Sequence, residues 1–417
     1  MDLALVGPAQ PAGVAVYVHI PFCRRRCDYC AFATWPGREA TWDRYIGACA
    51  TQARGLAGSW ADKGPVSSVY FGGGTPSLLP AGHLARLLDV LRCSVGIAEG
   101  AEVTVECNPE TVDRAKLATY RRAGVSRLSF GVQSMVPHVL RSLGRQHEPG
   151  SVAKAVEAAG AEGFAGRYNV DLIFGAAGES MADWEASLLA VLALEPPPAH
   201  VSCYALTVEA GTPLARDPSR HPSDDDQADK YALADAVLSA SGFCWYEISN
   251  WALPGAECRH NLLYWSQGEY AGVGCAAHSH RVGADGSSRR WWNVRTPERF
   301  CRLVEAGEPV EVAGEHLGVE QRALEALLLS LRTRWGVPAD ALPSYVYEAG
   351  LAERVYEAGL AERRPQQGGV CEGAVQRDGL AGGEERGALT LAGRLLANEV
   401  STRLRWPAQL SASQGVA

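Results

Sequence analysis

Three cysteines, Cys23, Cys27 and Cys30, fall within eight residues of the stretch VHIPFCRRRCDYCAF, spaced C-x3-C-x2-C. Thiols this close invite a common metal centre. A structural zinc ion takes four ligands, often as two close pairs, and the chain holds no second cysteine pair at that spacing. His19 is near, but it sits in a strand whose side chains alternate direction. Chance core cysteines would not lie among Arg24, Arg25, Arg26 and Asp28, which suit an exposed loop. In an iron–sulfur cluster the irons take thiolate ligands, so three cysteines leave one corner of a four-iron cluster open to another ligand. A cluster that only passed electrons would want the fourth thiolate. A redox-inert zinc or structural protein is the rival that iron and sulfide analysis would separate.

A second chemical stretch is SSVYFGGGTPS. Its three consecutive glycines let backbone approach a ligand closely. Glycine-rich turns after strands are common, so the signal gains weight only beside the cysteine loop. Polar residues also recur at the ends of apolar runs: Glu106, Gln133, Asp171 and Tyr204. In β/α arrays, functional groups gather at the carboxyl ends of strands. Each residue alone reads equally as a satisfied polar group at a strand end.

The elements that must position these groups follow from period and punctuation. Strands are predicted at 14–20, 67–74, 102–109, 126–134, 168–175 and 200–209, with helices at 41–57, 81–93, 111–123, 151–162, 182–194 and 224–241. Thr111 is the expected N-cap of the third helix. Six β–α units with near-continuously apolar strands predict a parallel sheet buried on both faces. The expected fold is α/β, a partial six-stranded (β/α) barrel spanning 14–242 after an extension at 1–13. A Gly- and aromatic-rich region at 243–295 shows little period. From 296 to 417 the chain reads as a mainly helical, winged-helix-like domain, with 318–337 its clearest amphipathic helix and a loop at 365–387. YEAGLAER occurs twice, at 347–354 and 356–363, which reads as a local duplication within one helix or helix–turn region.

The chain has 417 residues, 47% of them hydrophobic, and a formal net charge of -8, so a full core is available and a basic field for nucleic acid is not. No apolar run approaches the roughly 20 residues of a membrane span, and the first residues lack the pattern of a signal peptide. The expectation is a soluble, cytoplasmic protein. Twelve cysteines in such a compartment do not make a disulfide framework, and the nine scattered ones read as small buried hydrophobes.

The motifs YVHIPFC, YCAF, YFGGGTPS, VECNPE, SFGVQS, LGRQH and NVDLIFG, in this order over 17–175, resemble the radical S-adenosylmethionine superfamily. Within it they match the subgroup of oxygen-independent coproporphyrinogen III oxidases and their relatives. The resemblance implies that Cys23, Cys27 and Cys30 bind a [4Fe-4S] cluster whose open iron chelates S-adenosylmethionine, and that an electron donor reduces it. It places Tyr17 and Tyr29 beside ligand and cluster, and Gly73, Gly74 and Thr75 at the methionyl amino end. Glu106, Gln133, Arg145 and Asp171 become polar contacts to the methionyl and ribose parts, with Ala205 near adenine. The chemistry of those residues agrees: a carboxylate suits the cationic groups and a guanidinium the carboxylate.

The subgroup contains true oxidases and heme chaperones that resemble them. Oxidases carry Gly-Cys directly after the third cysteine and a longer segment before the first strand. Here Ala31-Phe32 follow Cys30, and 16 residues precede Tyr17. Both departures imply a chaperone that binds heme and hands it to hemoproteins, those of respiration foremost; anaerobic decarboxylation of coproporphyrinogen III is the alternative. The chaperone branch also carries H-N-x-x-Y-W, here His260, Asn261, Tyr264 and Trp265. A neutral imidazole is a common heme ligand and aromatics suit a porphyrin face. Otherwise, His260 hydrogen-bonds the Gly-rich segment beside it, and Cys258 and His278 are rival ligands.

Overall fold

A computed structural model describes residues 13–145, 147–356 and 385–405. Six strands lie side by side in chain order, each parallel to the next: β1 (Val14–Ile20), β2 (Val66–Gly73), β3 (Ile97–Cys107), β4 (Arg127–Gln133), β5 (Tyr168–Phe174) and β6 (His200–Ala205). Parallel neighbours need crossovers. These are α1 (Trp42–Ser59), α2 (Ala81–Ser94), α3 (Arg114–Ala123), α4 (Pro137–Ser142), α5 (Pro149–Ala161) and α6 (Met181–Leu192), with α7 (Asp224–Ala240) after the last strand.

Side-chain spacing explains the helices. On α2, Leu84, Leu87, Leu88 and Leu91 make one buried stripe at helical period. The chain enters α6 through a capping box between Ser180 and Asp183. The third helix starts later than expected. Asn108 and Thr111 close a short turn, and Asp113 is the cap that accepts from the Lys116 amide. Gly124, at φ 95, ends that helix in the left-handed region.

The region without a visible period is mostly sheet. It supplies β7 (Cys244–Glu247), β8 (Asn250–Ala252), α8 (Arg259–Trp265), β9 (Tyr270–Val273), β10 (His278–Val282) and β11 (Ser288–Asn293). After α9 (Pro297–Glu305), β12 (Glu311–Leu317) joins them. The order of the resulting twelve-stranded sheet is β12-β11-β10-β9-β1-β2-β3-β4-β5-β6-β8-β7. The six expected strands are therefore the middle of a larger sheet. Strands this short cannot display an alternation long enough to read.

Beyond α10 (Val319–Ser330) come β13 (Val337–Pro338), α11 (Ser344–Glu348), β14 (Ala352–Tyr356), β15 (Glu385–Leu389), α12 (Leu391–Leu395) and α13 (Ala397–Ser401). The three strands form their own sheet over a second, smaller core that includes Leu327, Leu331, Val346 and Val400. The expected helix at 318–337 is shorter than its apolar pattern. It turns near Thr333, which donates to the Ser330 carbonyl and bridges to Glu247. The first YEAGLAER copy ends α11, turns at Gly350 and opens β14, so it is not one helix; the second lies almost wholly outside the described residues. Of the expected loop at 365–387, residues 385–387 are strand and the rest lie outside the described residues.

Trp184 of α6 anchors the sheet: its ring packs on Phe174 and its indole N–H donates to the Lys230 carbonyl at 2.8 Å. Trp184→Ala should lower unfolding stability by about 3–5 kcal/mol, read as a shifted urea midpoint. An unchanged midpoint would contradict this anchoring role.

Candidate functional site

The parallel strands carry incompletely buried residues in their middle or carboxyl-terminal parts: Tyr17, Tyr70, Glu106, Gly131 with Gln133, Asp171, and Tyr204 with Ala205. All except Tyr17 line a cavity of about 480 Å³, together with Cys23, Cys27, Tyr29, Cys30, Gly73, Gly74, Thr75, Arg145 and His147. Tyr17 stands one strand away, its ring stacked on Tyr70.

The cysteine loop is tied from several sides. His19, buried, shares one ring nitrogen with the Tyr17 hydroxyl and the other with the Ala33 carbonyl at 2.9 Å. Both nitrogens are thus committed, so His19 holds the loop rather than extending its thiol set. Phe22-Cys23 pairs with Trp35-Pro36, and Asp28 meets Arg220 at 3.0 Å. Thr75 donates to the Cys23 sulfur and Arg145 to the Cys27 sulfur, each at 3.7 Å. Burial pushes the Cys23 thiol up to about 11 and raises Cys30 as well. A cation bound beside them would stabilise the thiolates. Among the described residues no three His, Cys, Asp or Glu groups converge closely enough for one metal ion. Three cysteines around one cavity, held apart, fit a cluster whose irons each take one thiolate.

The glycine run is a packing requirement. A Cβ on Gly73, at φ +114, would lie 2.4 Å from the His19 ring, and one on Gly74 would lie 2.6 Å from the Phe22 carbonyl oxygen. The Gly73 N–H donates to Glu106 Oε2 at 3.0 Å, while Tyr70 donates its hydroxyl to Oε1 at 3.0 Å. Asp171 accepts from Ser129 at 2.8 Å and from the Asn169 amide at 2.7 Å. Gln133 takes φ 66, an uncommon conformation for a residue with a side chain, at a register shift between β4 and β5. Arg145 donates to the Gly131 carbonyl at 2.6 Å, and its Nε is buried without a partner. Arg24, Arg25, Arg26 and the 68% exposed Phe32 line the mouth.

The His260 motif does not reach this cavity. Its helix α8 begins where Glu102 accepts from the amides of Arg259 and His260. His260 and Tyr264, one turn apart, bond through Nε2 and the hydroxyl at 3.0 Å. The other ring nitrogen meets Ser68 Oγ at 3.0 Å, and the ring, 1% exposed, stacks on Tyr70 with centroids 5.0 Å apart. Neither nitrogen is open to iron, and its partners are Ser68 and Tyr264 rather than the Gly-rich segment. The Trp265 indole bonds to Glu247. Cys258, also buried, donates to Glu102. What His260 does is press on Tyr70, which holds Glu106.

Three contributors were not singled out in the sequence. Tyr70 lies just before the glycine run, His19 lies inside an apolar strand, and His147 closes LGRQH. His147 is buried in the cavity wall, and burial followed by the Arg145 charge lowers its pKa to about 4.

The profile of the Radical SAM superfamily matches residues 17–191. The heme chaperone HemW of Mycobacterium tuberculosis H37Rv is 43% identical over 402 residues, 94% of this chain and 94% of that protein. HemW of Synechocystis is 37% identical over 79% of this chain and 80% of its own length, and HemW of Escherichia coli K12 36% over 72% and 79%. Among solved structures, the coproporphyrinogen III oxidase HemN of Escherichia coli superposes with a TM-score of 0.73 at 21% identity, covering 94% of this chain and 89% of that one. That likeness is one of fold.

Burial, and then the Asp171 charge, push the Glu106 carboxyl up to about 7; burial also raises Asp171. Removing the neighbouring negative charge favours ionisation. Asp171→Asn should therefore lower the Glu106 pKa, whereas Tyr70→Phe, which removes a donor to the carboxylate, should raise it. Infrared titration of the protonated carboxyl band reads both; equal midpoints in all three proteins would contradict the coupling.

Proposed function

Because the chain belongs to the radical SAM superfamily and, within it, to the HemW heme chaperones, we propose that it binds heme beside a [4Fe-4S] cluster and S-adenosylmethionine and delivers it to hemoproteins, respiratory ones foremost. The supporting observation is Phe32. It stands exposed at the cavity mouth, directly after the cysteine loop, where the resemblance gives oxidases a cysteine. An apolar ring there offers a porphyrin a surface and offers an oxidase no thiol. Among the described residues no helix is long and apolar enough to cross a membrane, and we place the handover on the cytoplasmic side.

Cys23, Cys27 and Cys30 would hold the cluster. When bound, it supplies an electron and an iron with an open position, the chemistry by which this superfamily cleaves the sulfonium bond of S-adenosylmethionine. The chain's own residues bind and orient that ligand. The backbone at Gly73, Gly74 and Thr75 receives the methionyl amino end, and Glu106 answers its positive charge. Arg145 answers the carboxylate, with Tyr29 beside it at the cluster loop. Gln133 and Asp171 take the ribose hydroxyls, and Ala205 leaves room for adenine. Tyr17 supports Tyr70 from behind.

Heme titration of the anaerobically reconstituted protein tests the reading. The expected outcome is a saturable Soret shift at one heme per chain, with about four irons in the cluster, and transfer of the heme to an apo-hemoprotein. No Soret shift at stoichiometric heme would sink it. Protoporphyrinogen formed from coproporphyrinogen III, with reductant and S-adenosylmethionine, would restore the oxidase alternative.

His260→Leu removes two hydrogen bonds that fix the ring beneath Tyr70, a loss on the order of 1 kcal/mol each. Calorimetry on the reconstituted variant should show S-adenosylmethionine affinity falling by about tenfold, with the heme spectrum kept. The opposite pattern, intact S-adenosylmethionine affinity with lost heme ligation, would return His260 to the role of heme ligand.

A further inference from the structure

We propose that His278 is the axial ligand to the iron of bound heme, and that the porphyrin docks on the sheet face formed by Gly272, His278 and Trp292. The inference rests on the heme-chaperone reading and adds the ligand and its location.

The chain has ten histidines. His19, His200 and His260 each commit both ring nitrogens. His83 and His138 lie on α2 and α4 and His221 just before α7, none of them on the sheet, and His280, on β10, is buried with Nδ1 on the Gly268 carbonyl. His147, 4% exposed, belongs to the wall of the S-adenosylmethionine cavity beside Arg145. Only His278 and His316 are exposed with neither nitrogen bonded among the described residues. Sheet register separates these two. His278 pairs with Trp292 and His316 with Arg289; Trp292 and Arg289 are three residues apart on β11, so they face opposite ways.

The His278 face is continuous with the inside of the parallel array. Tyr17 lies beside Gly272, and Gly272 beside His278, where a Cβ would come 2.2 Å from the His278 carbonyl oxygen. The Trp292 ring stacks on the imidazole with centroids 5.5 Å apart and planes 26° from parallel. That contact fixes the ring's direction and supplies apolar surface for a porphyrin. The cysteine loop is reached along the same face: His19, two residues after Tyr17 on β1 and bonded to its hydroxyl, bonds the carbonyl of Ala33, next to the exposed Phe32. Partial burial, and then the Arg290 charge, lower the His278 pKa, leaving a neutral imidazole at pH 7. Arg290 itself is engaged by Glu315 and Glu325. Ligation forms one Fe–N bond and displaces an axial water, with no change in oxidation state. A single ligand on an open sheet face also lets the heme leave, as a carrier requires.

The test uses the full chain with its cluster reconstituted, titrated with ferric heme and followed by absorption and electron paramagnetic resonance. The unaltered protein should show a nitrogen-ligated heme. His278→Gly should lose that signature and weaken binding by about tenfold or more, and added imidazole should restore the signature. His316→Gly should change neither, and S-adenosylmethionine affinity should be the same in all three. His278→Gly with unchanged signature and affinity would overturn the inference alone, as would a thiolate-ligated heme in the unaltered protein. An unaltered chain that bound no heme would overturn the chaperone reading and this inference with it.

Discussion

A buried carboxylate joins the parts of this site. Glu106 sits on β3, accepts the Gly73 N–H from the end of β2, and accepts the Tyr70 hydroxyl from the same strand. Two hydrogen bonds favour its ionised form while burial and Asp171 oppose it. The balance puts its proton near neutrality, where a cationic ligand can decide it. The glycine run follows from this joint. Gly73 can turn its amide to Glu106 only by crossing the His19 ring with no side chain of its own. His19, placed there, then reaches the Ala33 carbonyl and holds the cysteine loop. Carboxylate, glycines and thiols are one assembly of contacts.

Support for that joint comes from far along the chain. His260 follows Glu106 by more than 150 residues, yet its ring lies on Tyr70. Glu102, four residues before Glu106 on β3, anchors the start of the His260 helix. The motif is held by the middle of β3 and, through Tyr70 of β2, props the Glu106 end of the same strand. A histidine among aromatics can thus serve a cofactor site through packing, without touching the cofactor.

The parallel core was legible because long strands buried on both faces carry continuous apolar runs, and α2 keeps a clean leucine stripe. The polar ends at Glu106 and Gln133 were legible because a charged or amide residue closing an apolar run stands out; Asp171 lies instead in the middle of β5, where it interrupts the run. The other six strands of the sheet were not legible. Three of the five in 243–295 have four residues or fewer, and their cohesion comes from pairing with β1 and β6, which no local pattern carries. The same reason hid the role of His260: its partners Ser68 and Tyr70 belong to a strand far away in sequence. Thr111 misled because a short turn intervenes, and only geometry shows that Asp113 accepts the first helical amide.

The two histidines divide the work in a way that burial alone decides. A ligand for a cargo that must be released needs an open nitrogen, and His260 has none. A residue that stiffens a binding wall needs full commitment, and His278 has none of that. The sequence places both in one aromatic, Gly-rich region, where either could have served. The sheet separates them by packing His260 beneath Tyr70 and leaving His278 on the exposed side of Gly272. A substitution that filled Gly272 would force β9 and β10 apart at that point, moving the proposed heme ligand while leaving the Glu106 joint in place.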